Sequence, residues 1–382
     1  MRFFESMETI RQKVCSFRNL YKGLIRCKKG VIWKDSVIVR RINALQTVAN
    51  LKDKLDNGTY VIAEYSCFQV YEPKKRDIVS TRFIDRMFQS SLVKNYLYHE
   101  VQRRFIYPNF ACQLDKGTDE AREYLKKMIN KAFRKYGKGA VIIKFDLHNY
   151  FGSTPHSLAK AEMRIYIRDD WVYIEVCRII DSFDQGPDPE VGIGLGSEIS
   201  QLVELAFLND IDHFIKEKLG VEFYLRYMDD GILILPDMET AKEVRRQLEQ
   251  MIEAKHLTLN KKKTQIFSIM QGVKFLGFKY HPTPTGKIIV TLLPASVSKE
   301  KRRLRKQVRT LPREKVDQCY ASWKSFVEPP KHSKRHPERR IKRNTHSLIK
   351  YMDEYYETLW KEQEEHAESS EQRQQCEGTE QG

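Results

Sequence analysis

Long apolar runs are missing from this sequence. No stretch approaches the ~18–20 uninterrupted apolar residues of a membrane-spanning helix, so no membrane partner is expected. The opening residues, Met1-Arg2-Phe3-Phe4-Glu5, lack the apolar core of a secretory leader. The seven cysteines are an odd number and include no C-x-x-C pair, which argues against a structural zinc site. Reduced thiols in a cytosol are the expectation. Acid is the scarcer charge: 51 Asp+Glu against 67 Lys+Arg leave a net +16. Such an excess implies a polyanionic partner bound in a salt-dependent way. Hydrophobic residues at 41% suffice for a folded core.

What is present begins with carboxylates. Tyr227-Met228-Asp229-Asp230 lies between the apolar runs Phe223-Tyr224-Leu225 and Ile232-Leu233-Ile234-Leu235. Short apolar runs around a turn predict a β-hairpin with the acidic pair at its tip. Adjacent carboxylates repel each other unless a cation lies between them, and oxygen-only ligands suit Mg²⁺ or Mn²⁺. A third acid, Asp146, ends the apolar strand Val141-Ile142-Ile143-Lys144-Phe145. Two ions roughly 3.5–4 Å apart require an acid from a second strand, and Asp146 supplies it if the strands share a sheet. Taken singly, an Asp-Asp turn or a strand-end Asp is ordinary turn or cap chemistry. Tyr150 and Phe151 follow at a short offset, where an aromatic ring beside an incoming sugar would clash with a 2′-hydroxyl; core packing is the plain alternative.

The remaining motifs are ordered along the chain. Lys74 and Arg76 bracket a Pro-initiated basic turn, Glu72-Pro73-Lys74-Lys75-Arg76-Asp77-Ile78, able to engage phosphates. Gly192, Gly194 and Gly196 precede Ser197-Glu198-Ile199-Ser200-Gln201 and permit backbone conformations closed to other residues. Ser200 there reads equally as a helix N-cap. Leu259-Asn260-Lys261-Lys262-Lys263-Thr264 carries a lysine run, and Phe275-Leu276-Gly277-Phe278 an apolar strand broken by glycine. Further on, Lys299, Lys301, Arg302, Arg303, Arg305, Lys306 and Arg309 lie over Leu304, Val308 and Leu311 at helical spacing. This predicts a helix that buries one face and offers cations to a duplex backbone on the other. Another basic stretch, Glu328 to Arg343, reads as a loop that contacts phosphates without reading sequence.

Together these segments, in this order, resemble a reverse transcriptase. The turn at Lys74 and Arg76 resembles the fingers motif, Phe145 to Ser153 the first palm motif, Leu195 to Gln201 the template-and-nucleotide loop, and YMDD the family's signature. The lysine run and Phe275-Leu276-Gly277 resemble the nucleotide-sensing loop and the primer grip. Within the family the chain resembles the enzymes of prokaryotic diversity-generating retroelements most. Its template loop has Leu195-Gly196 and ends in Ser200-Gln201, where most relatives carry Gln-Gly and Ser-Pro. Ala111 to Thr118, Ala321-Ser322-Trp323-Lys324 and Asn344-Thr345-His346-Ser347-Leu348 also resemble that group. Glu198 and the basic Glu328–Arg343 segment depart from it.

The resemblance implies an α+β right-hand polymerase: an N-terminal helical arm (1–60), fingers (61–138), a palm with an antiparallel sheet (139–293), a basic helical thumb (294–361) and a disordered tail (362–382). It implies RNA-directed DNA synthesis with two Mg²⁺ ions, Mn²⁺ being able to substitute. Asp146, Asp229 and Asp230 would hold them, with the Leu147 carbonyl a further ligand. Lys74, Arg76, Tyr150, Phe151, Leu195, Gly196, Gln201 and Lys263 would bind the nucleotide. Ser200, Phe275, Leu276, Gly277, Arg302, Arg303 and Lys306 would touch primer and template. Leu195 in place of glutamine implies error-prone copying opposite adenines. Implied partners are an RNA template, a DNA primer, dNTPs and a small accessory RNA-binding subunit, in a prokaryotic or phage-encoded cytoplasmic enzyme. The alternatives are a phage-defence or other prokaryotic reverse transcriptase, protein-primed or template-independent, and a non-catalytic RNA-binding or splicing-assistance protein.

Overall fold

The computed structural model describes residues 9–71, 75–183, 188–328 and 345–379. They form two compact units, Met1–Ala121 with Ile142–Ile266, and Arg122–Val141 with Phe267–Gly382. Both are mixed helix and sheet, as expected, and each contains antiparallel strand pairs.

The first unit opens with helices α1 (Ile10–Cys15), α2 (Phe17–Cys27), α3 (Asp35–Ile42) and α4 (Ala44–Asp56). Thr9 and Gln12 form a capping box at the first, and Ser16 caps the second. The strands β1 (Ser66–Val70) and β2 (Arg76–Ser80) pair antiparallel as an exposed ribbon. Helix α5 (Phe83–Leu92) follows and lies tightly on α2. A Cβ on Gly23 would stand 2.5 Å from the Met87 carbonyl oxygen, so only glycine lets the two backbones approach this closely. A π-helical turn at Val93–Leu97 leads into α6 (Tyr98–Gln102), and α7 (Thr118–Tyr136) runs on into the second unit. Next come β3 (Val141–Phe145), the short α8 (Tyr150–Ser153), α9 (His156–Tyr166), α10 (Asp170–Asp181), α11 (Glu198–Phe207), α12 (Asn209–His213), β4 (Phe223–Tyr227), β5 (Asp230–Leu235), α13 (Met238–Ala254) and β6 (Gln265–Ser268). The sheet order is β4-β5-β3-β6. Strands β3, β4 and β5 are largely apolar because both their faces are covered, with Ile142, Ile143, Tyr224, Leu225, Ile232 and Leu233 fully buried.

The second unit contains the rest of α7, the antiparallel sheet β7 (Val273–Phe275), β8 (Phe278–Pro282) and β9 (Ile288–Leu292), and helices α14 (Pro294–Thr310), α15 (Arg313–Val327) and α16 (His346–Thr379). Leu304 and Val308 of α14 are buried while Arg302, Arg305, Lys306 and Arg309 stay in solvent, which is the amphipathic helix expected. Leu311 lies just past its end and is 37% exposed. Tyr320 of α15 stacks on Tyr356 of α16 at 4.6 Å. The stretch after Glu362, expected to be disordered, instead continues α16 to Thr379. Extending an existing helix avoids the nucleation cost, glutamate and glutamine are good helix formers, and Glu364 meets Arg313 of α15.

Candidate active site

Asp146 follows directly on β3 and is 3% exposed. Its backbone is tied to the segment before β6. Asn260 N–H donates to the Asp146 carbonyl at 2.8 Å, Leu147 bridges Leu259, and His148 N–H donates to the Thr258 carbonyl at 2.9 Å. That segment turns at Asn260, whose carbonyl accepts from Lys263 and Thr264. The turn delivers the Lys263 ammonium to both Asp146 oxygens, at 2.6 and 2.5 Å. Lys261 and Lys262 lie in solvent.

The YMDD segment forms the expected hairpin. Tyr227 pairs with Asp230, leaving Met228 and Asp229 as a two-residue loop with Met228 left-handed at φ 55°. Asp230 therefore opens β5, the strand beside β3. Its carboxyl is pushed up to about 6, chiefly by burial. Lys144, at 3.9 Å, pulls it back, while Asp229, Asp146 and a hydrogen bond shared with Asp146 raise it. The acids of two distant segments thus converge in one unit.

Two residues that sequence reasoning passed over make this convergence possible. Gly231 faces the Phe145 ring so closely that a Cβ there would lie 2.0 Å from it. Arg226, fully buried, grips Asp212 through Nε at 2.7 Å and Nη2 at 2.6 Å, and donates to the carbonyls of Met228 at 2.9 Å and Leu205 at 3.0 Å. Tyr224 adds its hydroxyl to Asp212 at 2.7 Å. The hairpin turn is therefore held from beneath by an ion pair. A signal existed: an arginine inside the apolar run Phe223–Tyr227 is a buried charge that needs a partner.

The aromatic pair divides its roles. Tyr150 is 3% exposed and donates its hydroxyl to the Glu204 carbonyl at 2.7 Å, so it is core. Phe151 stays partly open, edge-on to Tyr150 at 5.8 Å. Beneath them Glu204 is fully buried. Its Oε2 accepts from Thr154 at 3.1 Å, its Oε1 has no hydrogen-bond partner, and burial, reinforced by Asp229, pushes its pKa up to about 8.

The glycine-rich loop packs against β2. A Cβ on Gly194 would strike Phe183 at 2.6 Å and Val79 at 3.0 Å, and Gly196, at φ 130°, faces the Val79 carbonyl at 3.0 Å. Leu195 between them is partly exposed. The helix begins earlier than expected: Ser197, not Ser200, is the N-cap, accepting from Ile199 and Ser200 N–H. Ser200 is buried in α11 with its hydroxyl unpartnered, which counts against direct template contact. Gln201 is exposed, and Glu198, the acid foreign to the motif, pairs with Lys94 at 2.9 Å.

Lys74 lies outside the described residues, as does nearly all of the basic Glu328–Arg343 segment; Arg76 opens β2. In the second unit Phe275 is core at 2% exposure, and Leu276-Gly277 form the loop between β7 and β8. Arg302 and Lys306 project to solvent, whereas Arg303 is engaged with Glu300 at 2.7 Å.

Among the described residues no three Asp, Glu, His or Cys side chains stand as a ready-made metal cluster. Asp146, the acid expected to bridge, has both oxygens on Lys263. The donor chemistry nevertheless suits a hard divalent cation. Carboxylates that must share a proton at close range are relieved equally well by a cation.

The reverse transcriptase (RNA-dependent DNA polymerase) family matches residues 73–280. This is more than half of the chain, which belongs to that family of nucleotidyltransferases. No curated protein matches it. Solved structures similar to it include apo telomerase from Candida tropicalis (13% identity, TM-score 0.45, 62% of this chain and 51% of that one). The same telomerase truncated from its C-terminal domain gives 14%, 0.47, 60% and 56%. Telomerase from Candida albicans with a fragment of telomeric RNA gives 12%, 0.45, 65% and 50%. The chain spans about half the length of each. No helix among the described residues is long and apolar enough to cross a membrane.

Proposed function

We propose that this protein copies an RNA template into complementary DNA, extending a primer with deoxynucleotides, and that it is the error-prone enzyme of a diversity-generating retroelement. The observation that carries the polymerase reading is the meeting of Asp146, just past the end of β3, with Asp230 at the start of neighbouring β5, Asp229 beside them, within a family-matched segment.

Asp146, Asp229 and Asp230 are the residues that would hold two divalent cations, the Leu147 carbonyl assisting. Such cations lower the pKa of a primer 3′-hydroxyl and offset charge on the triphosphate. Lys263 is half exposed and mounted on a flexible stem, so its ammonium can leave Asp146 and neutralise the departing pyrophosphate. Lys74 and Arg76 bind the triphosphate, Gly196 and Gln201 flank the nucleotide, and the open edge of Phe151 rejects a 2′-hydroxyl. Tyr150 supports that ring from the core. Leu276 and Gly277 contact the primer, and Arg302 and Lys306 the duplex backbone. A small RNA-binding subunit completes the assembly. Leu195 cannot donate the hydrogen bond of a glutamine, which loosens checking of the pair opposite adenine.

Primer extension on a defined RNA with Mg²⁺ tests both levels. Asp229→Asn should cut the rate by more than the roughly 100-fold that losing an outer-shell metal partner costs; wild-type rates in that variant would sink the polymerase reading. Sequenced products of Leu195→Gln should show fewer errors opposite adenine than those of wild type. Equal spectra would remove the retroelement assignment while leaving the polymerase intact.

A further inference from the structure

The loop between β7 and β8 is a strained place for a leucine. Phe275 pairs with Phe278, so Leu276 and Gly277 are its only two residues, and both are left-handed, at φ 42° and 90°. Such a turn suits the twist of a hairpin, but a side chain at the first position costs about 1 kcal/mol or more. Gly277 is fixed on one side: its carbonyl accepts from Leu293 N–H at 3.1 Å, and a Cβ on it would meet Phe326 at 3.1 Å.

The Leu276 carbonyl is held by Arg122, from the first turns of α7. Nη2 donates at 2.7 Å and Nε at 3.2 Å, a two-pronged grip on one oxygen. The guanidinium is desolvated, with the residue 6% exposed. Its carbon lies 5.0 Å from the Phe278 ring centre and 4.8 Å from that of Phe326. Aromatic faces suit the weakly hydrated guanidinium and leave its N–H edge directed at the carbonyl.

We propose that Arg122 is a positioning residue for the primer strand: the guanidinium, caged by Phe278 and Phe326, locks the backbone of the Leu276-Gly277 turn in the conformation that receives the primer end. This rests on the reading that the protein extends a primer and that this turn contacts it. A backbone contact positions nucleic acid without reading its sequence, and it does so only if the backbone is rigid. Arg122 touches no reacting atom in this scheme; it acts through Leu276.

The test is single-turnover extension of an RNA-annealed DNA primer by wild type, Arg122→Met and Arg122→Lys. It is paired with hydrogen exchange on the free proteins. Arg122→Met should slow extension ~10–100-fold, the size expected of a misplaced reactant. Affinity for the primer–template and KM for dNTP should stay within about twofold, which separates positioning from binding. Arg122→Lys, which keeps a charged donor but neither the fork nor the flat stacking surface, should recover only part of the rate. Amides of 275–278 should exchange faster in Arg122→Met while those of β3, β4 and β5 do not change. A normal extension rate with a loosened turn overturns the primer role. Unchanged exchange at the turn overturns the clamp. Loss of protection throughout the protein shows a merely structural arginine and overturns both. A wild-type protein that extends no primer removes the polymerase reading and the primer role with it, while hydrogen exchange still decides the clamp.

Discussion

Two of the β-hairpin turns among the described residues place a non-glycine residue in left-handed backbone, and each has an arginine on that residue's carbonyl. Met228 at the acidic hairpin is held by Arg226, and Leu276 at the β7–β8 loop by Arg122. The two arginines are buried by different means. Arg226 is balanced by a buried carboxylate, Asp212, with Tyr224 completing the network. Arg122 sits between the rings of Phe278 and Phe326. The first grip includes a fully buried carboxylate, and the second includes the faces of two rings. A buried ion pair stakes the stability of its surroundings on both partners, because losing either strands the other. Removing Arg122 from between the two rings strands a neutral group, the Leu276 carbonyl.

The sharpest way to break this comparison is to delete the cation in each. Arg226→Met leaves Asp212 charged and enclosed, and should cost about 3–5 kcal/mol of unfolding free energy. Combining it with Asp212→Leu should restore most of that loss, since a buried pair is often replaceable by apolar residues of similar volume. Arg122→Met, which strands the neutral Leu276 carbonyl, should cost less, about 1–3 kcal/mol. Denaturant titration of the three proteins measures this directly. If Arg226→Met and Arg122→Met were equally destabilised, the charge balance would be irrelevant and the contrast empty.

Glu204 extends the comparison to a buried ionisable group with neither a cation nor a cage. Its folded pKa, about 8, lies above the ordinary 4.5. The folded state therefore binds the proton more tightly than the unfolded state does. The stabilisation is complete below about 4.5 and is lost as pH rises through 8. Glu204→Gln removes this dependence. The variant should gain on wild type by a few kcal/mol between pH 5 and pH 8.5, since each tenfold difference in proton affinity between the folded and unfolded states is worth about 1.4 kcal/mol. A wild-type stability curve parallel to the variant's across that window would show that Glu204 ionises freely.

These networks also mark where the sequence could and could not be read. The acidic hairpin, the strand before Asp146 and the amphipathic α14 were legible because each is a local pattern of apolar spacing. Which lysine of the run meets Asp146 is decided by the turn at Asn260, which delivers Lys263. The rest was not legible where one more residue of context decides. Ser197 and Ser200 are both plausible caps, and only the backbone direction after Gly196 makes Ser197 the acceptor. Tyr150 and Phe151 are equivalent in sequence, but the side facing Glu204 is core. The tail reads as disordered from composition, yet it continues a helix already anchored by Tyr356 and Trp360. Arg226 with Asp212 and Arg122 with Leu276 are 14 and 154 residues apart, separations over which spacing carries no information.

The smallest expected effect separates strain from support at the caged turn. Gly277 has φ 90°, and its added Cβ would meet only the far edge of the Phe326 ring, at 3.1 Å. Alanine there should cost about 1–2 kcal/mol, mostly from left-handed strain. Gly231 has no positive φ, but its Cβ would enter the Phe145 ring, so Gly231→Ala should cost more, in the upper part of the roughly 1–3 kcal/mol typical of overpacking. The second change pushes β5 from β3 and should also lower the pKa of Asp230 by weakening its hydrogen bond to Asp146. Titration of Asp230 by carboxyl-carbon NMR in both variants would read this out. A lowered pKa in Gly231→Ala alone would tie the closeness of the carboxylates to that missing Cβ, whereas equal values in the two would show that Phe145 yields without moving the strand.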